Sequence, residues 1–245
     1  MHAQSDHAII YQNFYTKRDM MTYLHDGYVE LVDTFGKDID IINAARVSYG
    51  SESDTFTDRD LKLMNYLWSH QHTSPFRMVS MKFKIKAPIF VLRQWMKHQV
   101  GCTWNEKSAR YVEVDDKSAF IPQVWRLQHE KSKQSSFGAV SDDIGASAFD
   151  KMNDVYDKCF EVYQWMLDQG ICREQARMVL PVSMYSECIW KADLQAVFNF
   201  LTLRLDTHAQ AEIQAYAQVV DQLVQQAFPF AYKVFKQSCD KSTSS

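Results

Sequence analysis

Residues 79–111 read VSMKFKIKAPIFVLRQWMKHQVGCTWNEKSARY, and three structural signals follow one another within them. From 79 to 86 the chain alternates strictly: Val79, Met81, Phe83 and Ile85 fall on one side, Ser80, Lys82, Lys84 and Lys86 on the other. A period of two marks a β-strand with one dry and one wet face. Pro88 then suits the first turn of a helix whose apolar residues are Ile89, Phe90, Leu92, Trp95 and Met96. After it the composition turns polar. Arg93, Lys97, His98, Lys107 and Arg110 can each hold an anion, while Asn105, Glu106 and Ser108 can read the edge of a base or a sugar. Residues 110–114 read as a returning strand. A polar loop set between rigid apolar elements is a favoured place for binding and catalytic residues.

On the N-terminal side, residues 28–33 (YVELVD) read as a first strand and 37–48 as a helix, with Gly50 as its terminator. Thr57 is placed to cap a further helix over 58–70, and His72-Thr73-Ser74-Pro75-Phe76 breaks it. On the C-terminal side, residues 126–147 are rich in Ser, Lys and Asp and read as a long exposed loop. The last third reads as helical. One stripe runs through Met152, Val155, Tyr156, Cys159, Tyr163 and Met166, and ends at Gly170. A short helix over 173–180 is stopped by Pro181. Further stripes run from Leu194 to Leu205 and from Ile213 to Phe228, the last stopped by Pro229. The sum is an α+β fold, a small mixed or antiparallel sheet packed with several long helices, in a single catalytic domain over 1–245.

Composition narrows the function. The 27 basic and 30 acidic residues nearly balance, which argues against a nucleic-acid coat or a membrane surface as partner. No basic region followed by a long apolar run opens the chain, and no apolar run approaches the ~18 residues a membrane span needs. The five cysteines are odd in number and widely spaced, with no CxxC, which fits reduced cytoplasmic thiols better than disulfides or a metal centre. Only seven glycines occur and none forms a phosphate-cradling loop, so phosphate must be met by Arg, Lys and helix N-termini.

Several side chains carry more than one reading. His70 and His72 suit either a polar turn or a ring set against a planar ligand. Glu106 is either a solvated carboxylate or a group that orients a base edge or accepts a proton. Lys97, Arg110 and Arg177 could clamp a phosphate. Cys102 lacks an evident activating base and reads as a small buried residue rather than a nucleophile. Arg204 and His208, four apart, share a face on a continuous helix and would line a cavity or an interface.

Lys97-His98-Gln99 followed by Asn105-Glu106-Lys107-Ser108-Ala109-Arg110-Tyr111 resembles RHRxxSxNExSxRY, the signature of the flavin-dependent thymidylate synthases. The likeness extends to AARVSYG at 44–50, HTSPF at 72–76, FKIKAPIFVLRQW at 83–95, ARMVLPVSMY at 176–185 and NFLTLRLDTHAQAEIQ at 199–214. These blocks stand in family order and cover about residues 28–235. The resemblance implies methylation of dUMP to dTMP, with the carbon from methylenetetrahydrofolate and FAD reduced by NADPH. It implies a homotetramer, active sites built from more than one subunit, and no cysteine nucleophile. Carried over by position, Gln94, Lys97, Glu106, Ser108, Arg110, Arg177 and Arg204 would bind dUMP, with Arg110 and Arg177 on the phosphate and Arg204 polarising the pyrimidine. Ser48, Ser74, Arg77, His98, Gln99, Asn105, Asn199 and His208 would meet FAD. His72 would stand beside the flavin, with Arg204 and His72 as the catalytic pair.

The chain also departs from the pattern. Two signature arginines are replaced by Lys97 and Gln99, the stretch from Gln99 to Asn105 is one residue longer, and Arg77 stands where a carboxylate is expected. A compensation of Gln99 by Arg77 is one consequence to test. These departures leave room for a related flavin enzyme with another pyrimidine nucleotide or hydroxymethyl transfer, and for a non-catalytic nucleotide- or flavin-binding homologue.

Overall fold

A computed structural model of the chain describes residues 24–114, 119–133 and 135–242. Its centre is a four-stranded, wholly antiparallel sheet in the order β1-β2-β6-β3. The strands are β1 (Tyr28–Phe35), β2 (Ser80–Pro88), β3 (Cys102–Glu106) and β6 (Tyr185–Asp193). As the alternation predicts, Val79, Met81, Phe83 and Ile85 are fully buried and Lys82, Lys84 and Lys86 are not, but Ser80, expected on the wet face, is buried at the start of the strand. On the wet face Lys82 reaches Asp33 (3.4 Å) and Lys84 reaches Glu187 (3.9 Å). The dry face is built on aromatic rings. Register sets Phe83 and Trp104 on either side of Trp190, with ring centroids 5.2 and 5.5 Å away and near-parallel planes.

Helices pack against the sheet and against one another. They are α1 (Asp38–Arg46), α2 (Asp58–Ser69), α3 (Ile89–Trp95), α4 (Asp142–Asp168), α5 (Arg173–Ala176), α6 (Leu194–Arg204), α7 (Ala211–Ala227) and α8 (Pro229–Ser242). Trp95 of α3 stacks on Phe200 of α6 at 4.6 Å and meets Trp190 edge-on at 5.3 Å, so helix and sheet share one aromatic core. Thr57 caps α2 through a reciprocal box with Asp60. Gly50 ends the turn after α1 at φ +61°, a conformation that costs glycine little.

Several expectations need correction. The strand after the polar motif is residues 102–106, not 110–114, which form a turn closed on the Ser108 carbonyl. Pro88 ends β2 and precedes α3 instead of lying inside it. The C-terminal third is not all helical, because β6 occupies the middle of the sheet. Its signal is the alternation of buried Cys188, Trp190 and Ala192 with more exposed Glu187, Ile189 and Lys191. The stretch 126–147 is not one loop. It holds the hairpin β4 (Leu127–Gln128) and β5 (Ser136–Phe137), and α4 begins at Asp142. Arg126 anchors the hairpin with a two-point bond to buried Glu212 at 2.8 and 3.0 Å. Pro229 ends one helix and opens another, α8, whose first amides donate to Asp38.

Candidate active site

Glu106 closes β3, paired with Cys188 of β6, and the chain then turns sharply. The Lys107 amide donates to Glu187 O, and the Tyr111 and Val112 amides donate to Ser108 O. That turn carries Ser108 and Arg110 over a cleft of about 580 Å³, inside the roughly 300–1,000 Å³ usual for small-molecule sites. Arg177 enters the same cleft from the 3₁₀ turn Arg177–Val179 after α5. Four residues far apart in sequence, Glu106, Ser108, Arg110 and Arg177, therefore line one cavity.

Charge in this cleft leans positive. Lys86, Lys107, Arg110 and Arg177 face Glu106, Glu113 and Glu187. Glu113 is engaged by Arg173 at 2.9 Å, and Glu187 accepts from the Tyr28 hydroxyl at 2.9 Å. Neither Arg110 nor Arg177 has an acidic partner among the described residues. Arg110 lies over the Tyr111 ring and donates to its hydroxyl at 3.2 Å. Two guanidinium groups with no carboxylate bonded to them among the described residues, beside a serine and a glutamate, offer the donor chemistry that a phosphate and a hydrogen-bonding ring would need. Tyr111, Tyr185 and Glu187 line the cleft too and were not among the sequence candidates: Tyr185 and Glu187 because β6 had not been recognised, Tyr111 because its turn read as a strand.

Gln94, Lys97, His98 and Arg204 do not line this cleft. Gln94, His98 and Arg204 assemble where α3 ends against the end of α6. Arg204 Nε donates to His98 Nε2 at 3.0 Å and Nη2 donates to the Gln94 carbonyl at 3.3 Å. The Gln94 side chain bonds Gln210 at 2.6 Å. Because Nε2 accepts, His98 is neutral with its proton on Nδ1. Burial, and then the Arg204 charge, push its pKa down to about 4. Burial also lowers that of Arg204. His208 does not share a helix face with Arg204: α6 stops at Arg204, and His208 lies exposed in the following turn, bonded to Asp206 at 2.9 Å.

The remaining candidates come from packed elements. Ser48 follows α1, His72, Ser74 and Arg77 belong to the turn after α2, and Asn199 is on α6; the Ser74–Arg77 turn packs on both α1 and α6. Apart from half-buried His98 the set is exposed. The hydroxyls of Ser48 and Ser74, the amides of Gln99, Asn105 and Asn199, the imidazoles of His72, His98 and His208 and the cation Arg77 are the donor chemistry a flavin dinucleotide calls for, so these residues fit FAD. Arg77 is not seen bonded to Gln99. Its Nε donates to Asp193 at 3.2 Å. His72 lies near Tyr66, edge-on at 6.2 Å, and His70 stacks on the same ring at 4.1 Å. Burial raises the pKa of Cys102 and drives that of Cys188 up to about 12, so both remain thiols near neutrality. Among the described residues no cluster of His, Cys, Asp or Glu could hold a metal ion, and no helix is long and apolar enough to cross a membrane.

The thymidylate synthase complementing protein family matches residues 30–230. The chain belongs to this family. The chain is similar to the flavin-dependent thymidylate synthase of Thermus thermophilus, 42% identical over 214 residues that cover 87% of this chain and 77% of that one. The enzyme of the same name from Kosmotoga olearia is 40% identical over 86% of this chain and 91% of its own. Among solved structures, the UMP/dUMP methylase PolB from Streptomyces cacaoi bound with 5-Br dUMP superposes with a TM-score of 0.78 at 34% identity, covering 86% and 95% of the two chains. The antiparallel sheet and its helices are thus the family fold, and the altered 97–104 stretch sits inside an otherwise matching member.

Proposed function

We propose that the chain methylates dUMP to dTMP, the flavin-dependent thymidylate synthase reaction, with methylenetetrahydrofolate as carbon donor and NADPH as reductant of FAD. The convergence of Glu106, Ser108, Arg110 and Arg177 on one cleft carries the reading. In it Arg110 and Arg177 bind the phosphate, and Ser108 and Glu106 bond the nucleoside. Arg204, held by neutral His98, presents a fixed cation that stabilises negative charge developing on the pyrimidine. A guanidinium already oriented needs no reorganisation when that charge appears. Gln94 and Lys97 supply further contacts to the nucleotide. FAD, when bound, supplies the redox chemistry. Ser48, Ser74, Arg77, His98, Gln99, Asn105, Asn199 and His208 hold it, and His72 stands beside its ring.

The two groups of nucleotide-binding residues occupy separate places on one chain. This supports a homotetramer in which one copy contributes the cleft and another contributes Arg204. Cysteines that form no disulfide among the described residues suit the cytoplasm.

The test is the visible absorption spectrum of the purified protein with FAD and dUMP, followed by turnover of NADPH and methylenetetrahydrofolate with mass analysis of the nucleotide. Flavin bands that co-elute with protein and shift with dUMP, and a product heavier than dUMP by one CH2 group, are expected. A protein that takes up FAD yet leaves dUMP unmodified would sink the reading. The likeness to a UMP/dUMP methylase favours a second substrate, UMP, and the same mass assay run on UMP decides it.

A further inference from the structure

Asp193 is the last residue of β6 and the N-cap of α6, and its amide and both carboxylate oxygens are engaged. Its amide donates to Gly101 O at 2.9 Å. One carboxylate oxygen accepts from the Ala196 amide at 2.8 Å, and the other accepts from Arg77 Nε at 3.2 Å. Gly101 lies against that carboxylate. It has φ +75°, and a Cβ there would stand 2.3 Å from Asp193 Oδ2. Only glycine fits both the space and the backbone. The opposite end of α6 is tied to the same segment, since Arg204 donates to His98 and to the Gln94 carbonyl. Within the segment, the His98 amide donates to Trp95 O and the Cys102 amide donates to Gln99 O, so little slack separates the two ties.

Residues 94–101 are thus strapped along α6, a strut of 11 residues about 16 Å long. The strap has one buckle at Asp193 and the other at Arg204. We propose that Arg77 and Asp193 are positioning residues for Arg204: their ion pair seats Gly101 against the start of α6, which fixes where His98 meets Arg204 at its end. Asp193 is buried, so its charge must be compensated, and Arg77 is the side chain that does so. With Arg77 gone, the carboxylate gains by moving toward water. Gly101, packed on it and bonded to its amide, moves as well. Asp193→Asn keeps the helix cap but not the ion pair.

The inference rests on the reading that Arg204 meets the pyrimidine, and its test separates the two. In the wild type, dUMP affinity is measured by calorimetry at saturating FAD. Arg77→Met and Asp193→Asn each weaken it on the order of tenfold, and the double variant is no worse than either. Arg77→Lys recovers part of the loss. In an Arg204→Ala background Arg77→Met costs less than about twofold, because the coupling runs through Arg204. Equal losses in both backgrounds would overturn the proposal. A second readout does not depend on dUMP. The His98 ring Cε1 proton, assigned by its disappearance in His98→Gln, shifts in Arg77→Met and Asp193→Asn and returns in Arg77→Lys. A resonance that does not move overturns the proposal whatever the nucleotide does. A wild type that ignores dUMP while this proton responds would overturn the nucleotide reading alone.

Discussion

At the scale of single residues, the proposed phosphate role of Arg177, which lines the cleft with Arg110, is open to a direct test. Its guanidinium offers a planar fork that lysine cannot copy. Arg177→Ala is expected to raise KM for dUMP about 10- to 100-fold, the worth of one charged hydrogen bond, with kcat less affected. Arg177→Lys should fall between. Steady-state kinetics with varied dUMP checks both, and an unchanged KM in Arg177→Ala would remove this residue from the phosphate site. His98 makes a different prediction. Its folded pKa of about 4 lies below the ordinary 6.5. Between those values the unfolded chain binds the extra proton, so stability rises with pH there. The contribution is complete above about pH 6.5 and is lost as pH falls toward 4. Melting temperatures from pH 4 to 7 should show a steeper acid decline in the wild type than in His98→Gln. Parallel curves would mean that burial and the Arg204 charge do not hold the imidazole neutral.

Strands and helices place these residues. The core that positions both halves of the site is the row Phe83, Trp190 and Trp104 under Trp95 and Phe200. Trp190 is fully buried at its centre. Trp190→Ala is expected to cost about 3–5 kcal/mol, read as a shift in the urea midpoint, and to loosen flavin and dUMP binding together. A shift typical of a surface substitution would show that the core is organised elsewhere. The strand that carries Trp190 was also the element hardest to see. Tyr185 to Asp193 contains Glu187 and Lys191, and a serine and a glutamate interrupt its start, so its alternation is short and follows a helix-rich stretch. The β2 alternation was legible because lysines mark its wet face without a break. The hairpin inside 126–147 was hidden for a related reason. Its strands are two residues each, and its anchor, Arg126 on Glu212, is a contact across 86 positions that no local pattern announces.

On the scale of the whole molecule the open question is how the Arg110–Arg177 cleft and the Arg204–His98 pair come together. Arg110→Ala and Arg204→Ala are each expected to be inactive. Mixed, dissociated and reassembled, they should regain activity if a complete site draws on two copies. Size-exclusion chromatography should show a tetramer in both. A mixture that stays dead while tetramers form would place the whole site within one chain.

The sequence by itself determined the family, the dry and wet faces of β2, the caps and breaks of the early helices, and the identity of the polar candidates. Those properties are local in the chain or shared across ordered blocks of it. Only the tertiary structure decided that Glu106, Ser108, Arg110 and Arg177 share one cleft, that α6 ends at Arg204, and that Arg77 answers to Asp193. The pairing of Arg77 with Asp193 spans 116 residues. Such a contact depends on which elements pack together, a choice made by the buried aromatic core and invisible in the spacing of the charges themselves.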